Sequence, residues 1–227
     1  MEDTSRAALA EFIATFAYVF VGAGAVIANQ NGHLDLTGVA LAHGLVLAIM
    51  MSVTAHLSGG LVNPALAIGL WVTGRLGTVR AGTAIVAELL GAVGGALLLR
   101  FLLPATSFEP GGGGVLLHPD LPAGSGVLIE AAATFLLVFA VFGASVDDRG
   151  PYGIAGPTIG MVIAFDIMAF GPWTGAAANP ARWLGPALAS GTWDDWWVWI
   201  LGPVAGAILA AIVYWSCFLR DKEPATP

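Results

Sequence analysis

Asparagine, proline and alanine stand in succession at Asn63, Pro64 and Ala65, and again at Asn179, Pro180 and Ala181. Asn before Pro marks a helix start, because Asn is a favoured N-cap and Pro fits a first turn whose N–H needs no partner. Each tripeptide follows a Ser/Gly/Thr-rich approach (Ser58, Gly59, Gly60; Thr174, Gly175) and opens a short apolar run. Such a pair can aim amide donors and the partial positive charge of a helix N-terminus at a common point. Covalent chemistry lacks its parts. There is no His/Cys/Glu set at helical metal spacing, no G-x-S-x-G elbow and no carboxylate pair placed across a cleft. The sequence therefore reads as neither an enzyme nor a metal protein, and calls for no cofactor.

The remaining polar candidates sit inside apolar stretches: Glu11, Glu130 and Asp166, a lone His43, and Arg182 about one turn into the second short run. The surroundings explain why that is unusual. Of 227 residues, 57% are hydrophobic and only 10% charged, far from the soluble average. Apolar runs near 8–28, 37–55, 81–103, 126–146, 153–171 and 196–219 each match the about 17–25 residues that cross a bilayer, which predicts six spans. They lack the polar face at helical period that a soluble buried helix shows. The acidic start (Glu2, Asp3) and the length of the first run argue against a cleaved signal, so that run is expected to remain a span. A net charge of −7 argues against nucleic acid, and a single cysteine, Cys217, cannot form an intramolecular disulfide. Arg6, Arg75, Arg80, Arg149, Arg220 and Lys222 fall on one side of six alternating spans, while Asp35, Glu109, Asp120, Asp194 and Asp195 fall on the other. Both termini are thus expected in the cytoplasm, in a plasma or cell inner membrane.

The elements that hold these residues repeat. Glu11 and Thr15 in the first span recur as Glu130 and Thr134 in the fourth; Gly44-Leu45-Val46-Leu47-Ala48 recurs as Gly160-Met161-Val162-Ile163-Ala164; and Leu90-Gly91 recurs as Leu201-Gly202. The landmarks keep their order at offsets between 111 and 119 residues. Three spans per half is an odd number, so the second half must cross in the opposite sense and the repeat is inverted. One channel-like domain over 1–227 follows, with a first repeat at about 8–103, a Gly- and Pro-rich extracellular loop at about 104–125 and a second repeat at about 126–219. The runs from Ala65 to Val72 and from Ala181 to Ala189 are too short to cross, so each should be a re-entrant half-helix buried in protein. The predicted fold is an all-α membrane protein of six transmembrane helices plus two half-helices. Buried carboxylates need partners, and Glu11 and Glu130 are assigned to the unpaired backbone N–H groups of the two approach loops.

From Ala10-Glu11-Phe12 to Gly202-Pro203 the chain closely resembles the aquaporins, the major intrinsic protein family of water and small-solute channels. The likeness includes Ser58-Gly59-Gly60-Leu61-Val62-Asn63-Pro64-Ala65 and Thr174-Gly175-Ala176-Ala177-Ala178-Asn179-Pro180-Ala181-Arg182. The resemblance implies that Asn63 and Asn179 donate to a single file of water, while two half-helix dipoles exclude cations and orient the central water against proton hopping. It also implies a four-residue filter. Counting 20 back from the first Asn gives His43; counting 12 and 3 back from the second gives Ile167 and Ala176, and 3 forward gives Arg182. This set resembles the filter of plant vacuolar-membrane aquaporins more than that of strict water channels.

Some positions depart from the family pattern. Leu61 stands where most members have His, Glu88 where Gln is frequent, and Trp183 where glycerol facilitators have Asp; Ala176 removes the cysteine that mercury attacks in many members. Asp166 is expected to make a buried structural bond, with a partner among loop backbone, His43 or Arg182, or at a subunit interface. His118 is expected to be a solvated loop residue, with contact to Arg182 as the alternative. The reading is a passive water channel that excludes protons and ions and extends to small neutral solutes such as ammonia or hydrogen peroxide. A glycerol or urea facilitator is the first alternative and a proton-coupled transporter the second. The implied partners are water, small neutral solutes and the lipid bilayer, with a homotetramer as the family assembly.

Overall fold

A computed structural model describes residues 2–108 and 111–219. Glu109, Arg220 and Lys222, used above to orient the chain, lie outside the described residues. Among the described residues six helices are long and apolar enough to cross a membrane: α1 (Glu2–Gln30), α2 (Leu36–Ser58), α4 (Thr78–Leu102), α6 (Ala123–Val141), α7 (Ala155–Thr174) and α9 (Val198–Tyr214). Two π-helical turns, Phe142–Val146 and Trp215–Leu219, prolong α6 and α9. Between the spans lie the half-helices α3 (Pro64–Val72) and α8 (Pro180–Ser190), of 9 and 11 residues. At about 1.5 Å per residue these are roughly 14 and 17 Å long, half of a ~30 Å hydrocarbon core. The fold is all-α, and each half contributes three spanning helices and one half-helix.

Close crossings hold the two halves together. α1 lies along α4, α6 lies along α9, and α2 joins the halves by packing on α7. At that junction Gly44 and Gly160 face one another: a Cβ on Gly44 would sit 2.7 Å from the Gly160 carbonyl oxygen, and one on Gly160 would sit 2.2 Å from that of Gly44. Only hydrogen fits at either place, so the backbones of α2 and α7 touch and the two helices are held close.

The link between the halves carries structure of its own. A single helical turn, α5 (Ala105–Phe108), is followed by a 3₁₀ turn at Gly111–Gly113, and the chain then dips inward so that Phe108 and Val115 are buried. Val115 belongs to a small apolar cluster with Ala177, Trp183, Ala187, Val198 and Trp199. The link therefore packs against the second re-entrant loop instead of ranging over solvent.

Candidate permeation site

Each half-helix begins as its sequence demands. Asn63 and Asn179 are the N-caps of α3 and α8, with their side-chain oxygens accepting from the N–H of Ala65 and of Ala181, both at 2.9 Å. Pro64 and Pro180 follow in the first turn. Capping consumes Oδ1 and leaves each amide nitrogen free to donate.

The approach loops turn sharply just before the asparagines. Val62 (φ 56°) and Ala178 (φ 47°) are left-handed, as is Ala176 (φ 45°), a conformation that costs a residue with a Cβ about 1–3 kcal/mol. The buried carboxylates offset it. Glu11 accepts from the N–H of Leu61 at 2.9 Å and of Val62 at 2.8 Å. Glu130 does the same for Ala177 at 3.0 Å and Ala178 at 2.8 Å. With their N–H groups held by the acids, Val62 and Ala178 turn their carbonyls to the opposite loop. Asn63 donates to the Ala178 carbonyl and Asn179 to the Val62 carbonyl, both at 2.8 Å. This reciprocal pair was absent from the sequence reading. One hydrogen of each amide is thereby fixed, which orients the other toward the space between the half-helices.

That space is a narrow chamber lined by Asn63 and Asn179, by Tyr18, and otherwise by Leu47, Met51, Leu61, Leu66, Leu137, Val141, Ile159 and Ile163. On the side of α2's last turn it leads to a wider vestibule with His56, Ser58, Arg75, Arg80 and Tyr152 on its wall. Leu61 borders both, so the place where most aquaporins carry a histidine is here apolar.

On the other side of the chamber the structure brings His43 and Arg182 together. The Arg182 Nε–H donates to His43 Nε2 at 2.9 Å, and His43 Nδ1 lies 2.9 Å from the Val39 carbonyl. These partners assign the imidazole a single proton, on Nδ1, since Nε2 must accept and the carbonyl cannot donate. Gly22 makes room for the ring: a Cβ there would lie 2.5 Å from His43 Nε2. Tyr18 meets the same ring edge-on, centroids 5.8 Å apart. Ile167 and Ala176 are each buried too, and Nη1 of Arg182 has no hydrogen-bond partner among the described residues. His43 and Arg182 thus form a buried polar pair next to Tyr18, with a guanidinium N–H unspent.

One buried residue departs from expectation. Asp166 is fully buried, yet neither carboxylate oxygen has a partner among the described residues. The expected structural bond is not made among the described residues: Arg182 gives its Nε–H to His43, and the N–H groups of Ala177 and Ala178 go to Glu130. Glu88 is also buried, with both oxygens unpartnered by hydrogen-bond geometry. His118, a half-exposed loop residue as expected, packs against Trp173 at a centroid distance of 5.1 Å and lies 3.9 Å from the Asp120 carboxylate. His33 is exposed. The sequence marks Gly22 only as a small packing residue and Trp199 only as a departure from glycerol facilitators, and it does not single out Tyr18; Trp199 donates its indole N–H to the Thr174 carbonyl at 3.0 Å and so steadies the second loop. Tyr18 was the one with a signal, since it lies seven residues after Glu11 and hence on the same helix face.

Comparison with known proteins gives a consistent picture. The family model described as Major intrinsic protein matches residues 1–214. The chain is 45% identical over 228 residues to a protein named Aquaporin TIP4-4 from Zea mays, covering 95% of this chain and 88% of that one. It is 38% identical over 229 residues to Probable aquaporin TIP3-2 from Arabidopsis thaliana, covering 93% and 83%. Among solved structures it is similar to the aquaglyceroporin from Plasmodium falciparum, with a TM-score of 0.84 at 25% identity, over 96% of this chain and 98% of that one.

Proposed function

Because the chain belongs to the major intrinsic protein family, we propose that it is a passive water channel whose pore runs past His43 and Arg182, through the chamber at Asn63 and Asn179, and into the Arg75–Arg80 vestibule. The observation that carries this reading is the pair of abutting half-helix N-termini, each capped by an asparagine with one amide hydrogen locked across the interface and one left to the chamber. Two N-termini, each worth about half a positive charge, face a permeating molecule at one point. They repel cations and hold a water oxygen toward the amides, which breaks the alignment that proton hopping needs. The eight aliphatic walls offer nothing to hold water in passage.

His43, Ile167, Ala176 and Arg182 form the filter in this reading, and Glu11 and Glu130 are scaffold for the loops. Replacing an aromatic residue by His43 leaves a filter suited to ammonia and hydrogen peroxide beside water. The whole of 1–227 acts as one channel domain, with repeats at about 8–103 and 126–219, and four copies assemble with one pore each. Both termini face the cytoplasm. The likeness to plant TIP proteins favours an internal membrane over the plasma or cell inner membrane, and fractionation of cells carrying the tagged protein decides between them.

The test is stopped-flow light scattering on proteoliposomes, with water and glycerol measured on the same preparation. Water flux well above that of empty vesicles, with little glycerol flux, is expected. Likeness to an aquaglyceroporin structure favours the facilitator alternative, and rapid glycerol flux with negligible water flux would establish it instead. Flux that follows an imposed pH gradient would point to coupled transport.

A further inference from the structure

We infer that the hydroxyl of Tyr18 is an additional hydrogen-bonding station in the pore and helps to decide which neutral solutes pass; the inference rests on the channel reading above. Tyr18 is 1% exposed, and its ring stands edge-on to His43 at one end of the chamber whose other polar groups are Asn63 and Asn179. The rest of that chamber is aliphatic, including Leu47, Leu137 and Ile163. No described residue hydrogen-bonds the Tyr18 hydroxyl, and it is not among the polar atoms sealed off without a partner.

Burial of a hydroxyl costs free energy unless a partner is found, and a phenylalanine would fill the same ring volume without that cost. The partner that the geometry leaves is the permeating molecule. Tyr18 bridges the stretch between the His43–Arg182 pair and the asparagines, where a molecule would otherwise travel against hydrocarbon alone. The effect must depend on the solute. Water in single file keeps a neighbour on each side, whereas hydrogen peroxide has the same two O–H donors but two oxygens to satisfy and spans more of the file, so it leaves more groups unsatisfied against apolar walls. A hydroxyl on the wall lowers the barrier for peroxide more than for water.

The experiment compares wild type and Tyr18→Phe in proteoliposomes, with water flux by light scattering and peroxide entry by an encapsulated fluorogenic probe. The ratio of peroxide to water permeability is expected to fall about fivefold, the worth of about one net hydrogen bond. Tyr18→Phe keeps the ring, so a fall there belongs to the hydroxyl; a fall in Tyr18→Leu alone would assign the effect to the ring and overturn the inference. An unchanged ratio in both variants, whether the two fluxes hold or fall together, overturns the inference. Wild-type water flux equal to that of empty vesicles is a separate failure, of the channel reading itself.

Discussion

The loops before Asn63 and Asn179 are built alike and surrounded differently. Alike are the asparagine cap, the proline, the left-handed residue before the cap and the carboxylate that takes two successive N–H groups. Different is everything that flanks them. The second loop is followed by Arg182 with His43 on its Nε, and is steadied by the Trp199 indole. The first has Leu61 in its path, and Glu88 stands where the repeat pairs it with Trp199. On the proposed reading, the shared parts make the two half-helix dipoles converge, and the unshared parts set a polar filter at one end and an apolar passage at the other. Charge exclusion would then belong to the symmetry, and solute choice to its breaking.

The largest effect should come from removing the shared carboxylates. Glu11→Ala leaves two buried N–H groups bare, as does Glu130→Ala, at about 1–3 kcal/mol for each group. Both variants should lose most of their stability in detergent and most of their water flux, to a similar extent. A Glu130→Ala protein that conducts normally while Glu11→Ala does not would show that the two loops are not held by the same device.

Next in size is Arg182→Ala, which acts on the unshared side. It removes the fixed cation and strips His43 Nε2 of its donor, a charge-assisted bond worth about 1.5–3 kcal/mol, so glycerol or cation leak should rise at least about tenfold while water still passes. Patch recording or ion-flux dyes on the same vesicles read it. A leak that appears equally when Leu61 is replaced by Ala would remove the distinction between the two ends.

Gly22→Ala tests the filter by overfilling it. The added methyl carbon would lie 2.5 Å from His43 Nε2, with the ring held on its other nitrogen by Val39. The ring must swing, at a cost of about 1–3 kcal/mol, and water flux should drop by a few fold to tenfold with little loss of protein. Gly74→Ala is the contrast for the opposite side, since no atom lies within 4 Å of its Cβ position, although its φ of 73° carries a backbone strain of its own.

The sequence made the shared device readable and hid much of the unshared one. Glu11 and Glu130 announce themselves because a carboxylate in an apolar helix needs donors, and the Ser/Gly/Thr-rich loops were the nearest supply. Asn-Pro reads as a helix start from local chemistry alone. The reciprocal bonds from Asn63 to Ala178 and from Asn179 to Val62 join residues 115 and 117 apart and depend on the left-handed turns, which nothing at Val62 or Ala178 betrays. Asp166 reads as a buried acid from its apolar surroundings, but where the N–H groups of Arg182 go, Nε to His43 and Nη1 to no described residue, is decided by three-dimensional placement. The connecting segment looked like a loop by its glycines, and only packing reveals that Val115 is pressed against Gly175, whose Cβ position lies 2.4 Å from the Val115 side chain.

The smallest effect concerns the turns that close each helical hairpin, where the same contrast reappears. Asn31, after α1, donates to the carbonyls of Ile27 and of Ser107, just beyond α4. In the second half Arg149 donates to the Phe218 carbonyl just beyond α9, while its guanidinium grips the Asp147 carboxylate, which also accepts from the Tyr214 hydroxyl at 3.1 Å. One turn is held by neutral amides and the other by an ion pair. The bonds from Arg149 hold the Asp147 carboxyl well below the usual carboxylate range, so the folded protein resists its protonation more than the unfolded chain does. Its contribution is therefore complete above about pH 4 and fades only as acid titrates the folded carboxyl. Asp147→Asn should lower the detergent melting temperature modestly, by the same amount at pH 7 and pH 5, with the gap to wild type closing only in stronger acid. Asn31→Ala should leave a gap that does not change with pH. If the Asp147→Asn gap already narrows between pH 7 and pH 5, the ion pair is not what holds that turn, and the two hairpins are closed by the same kind of bond after all.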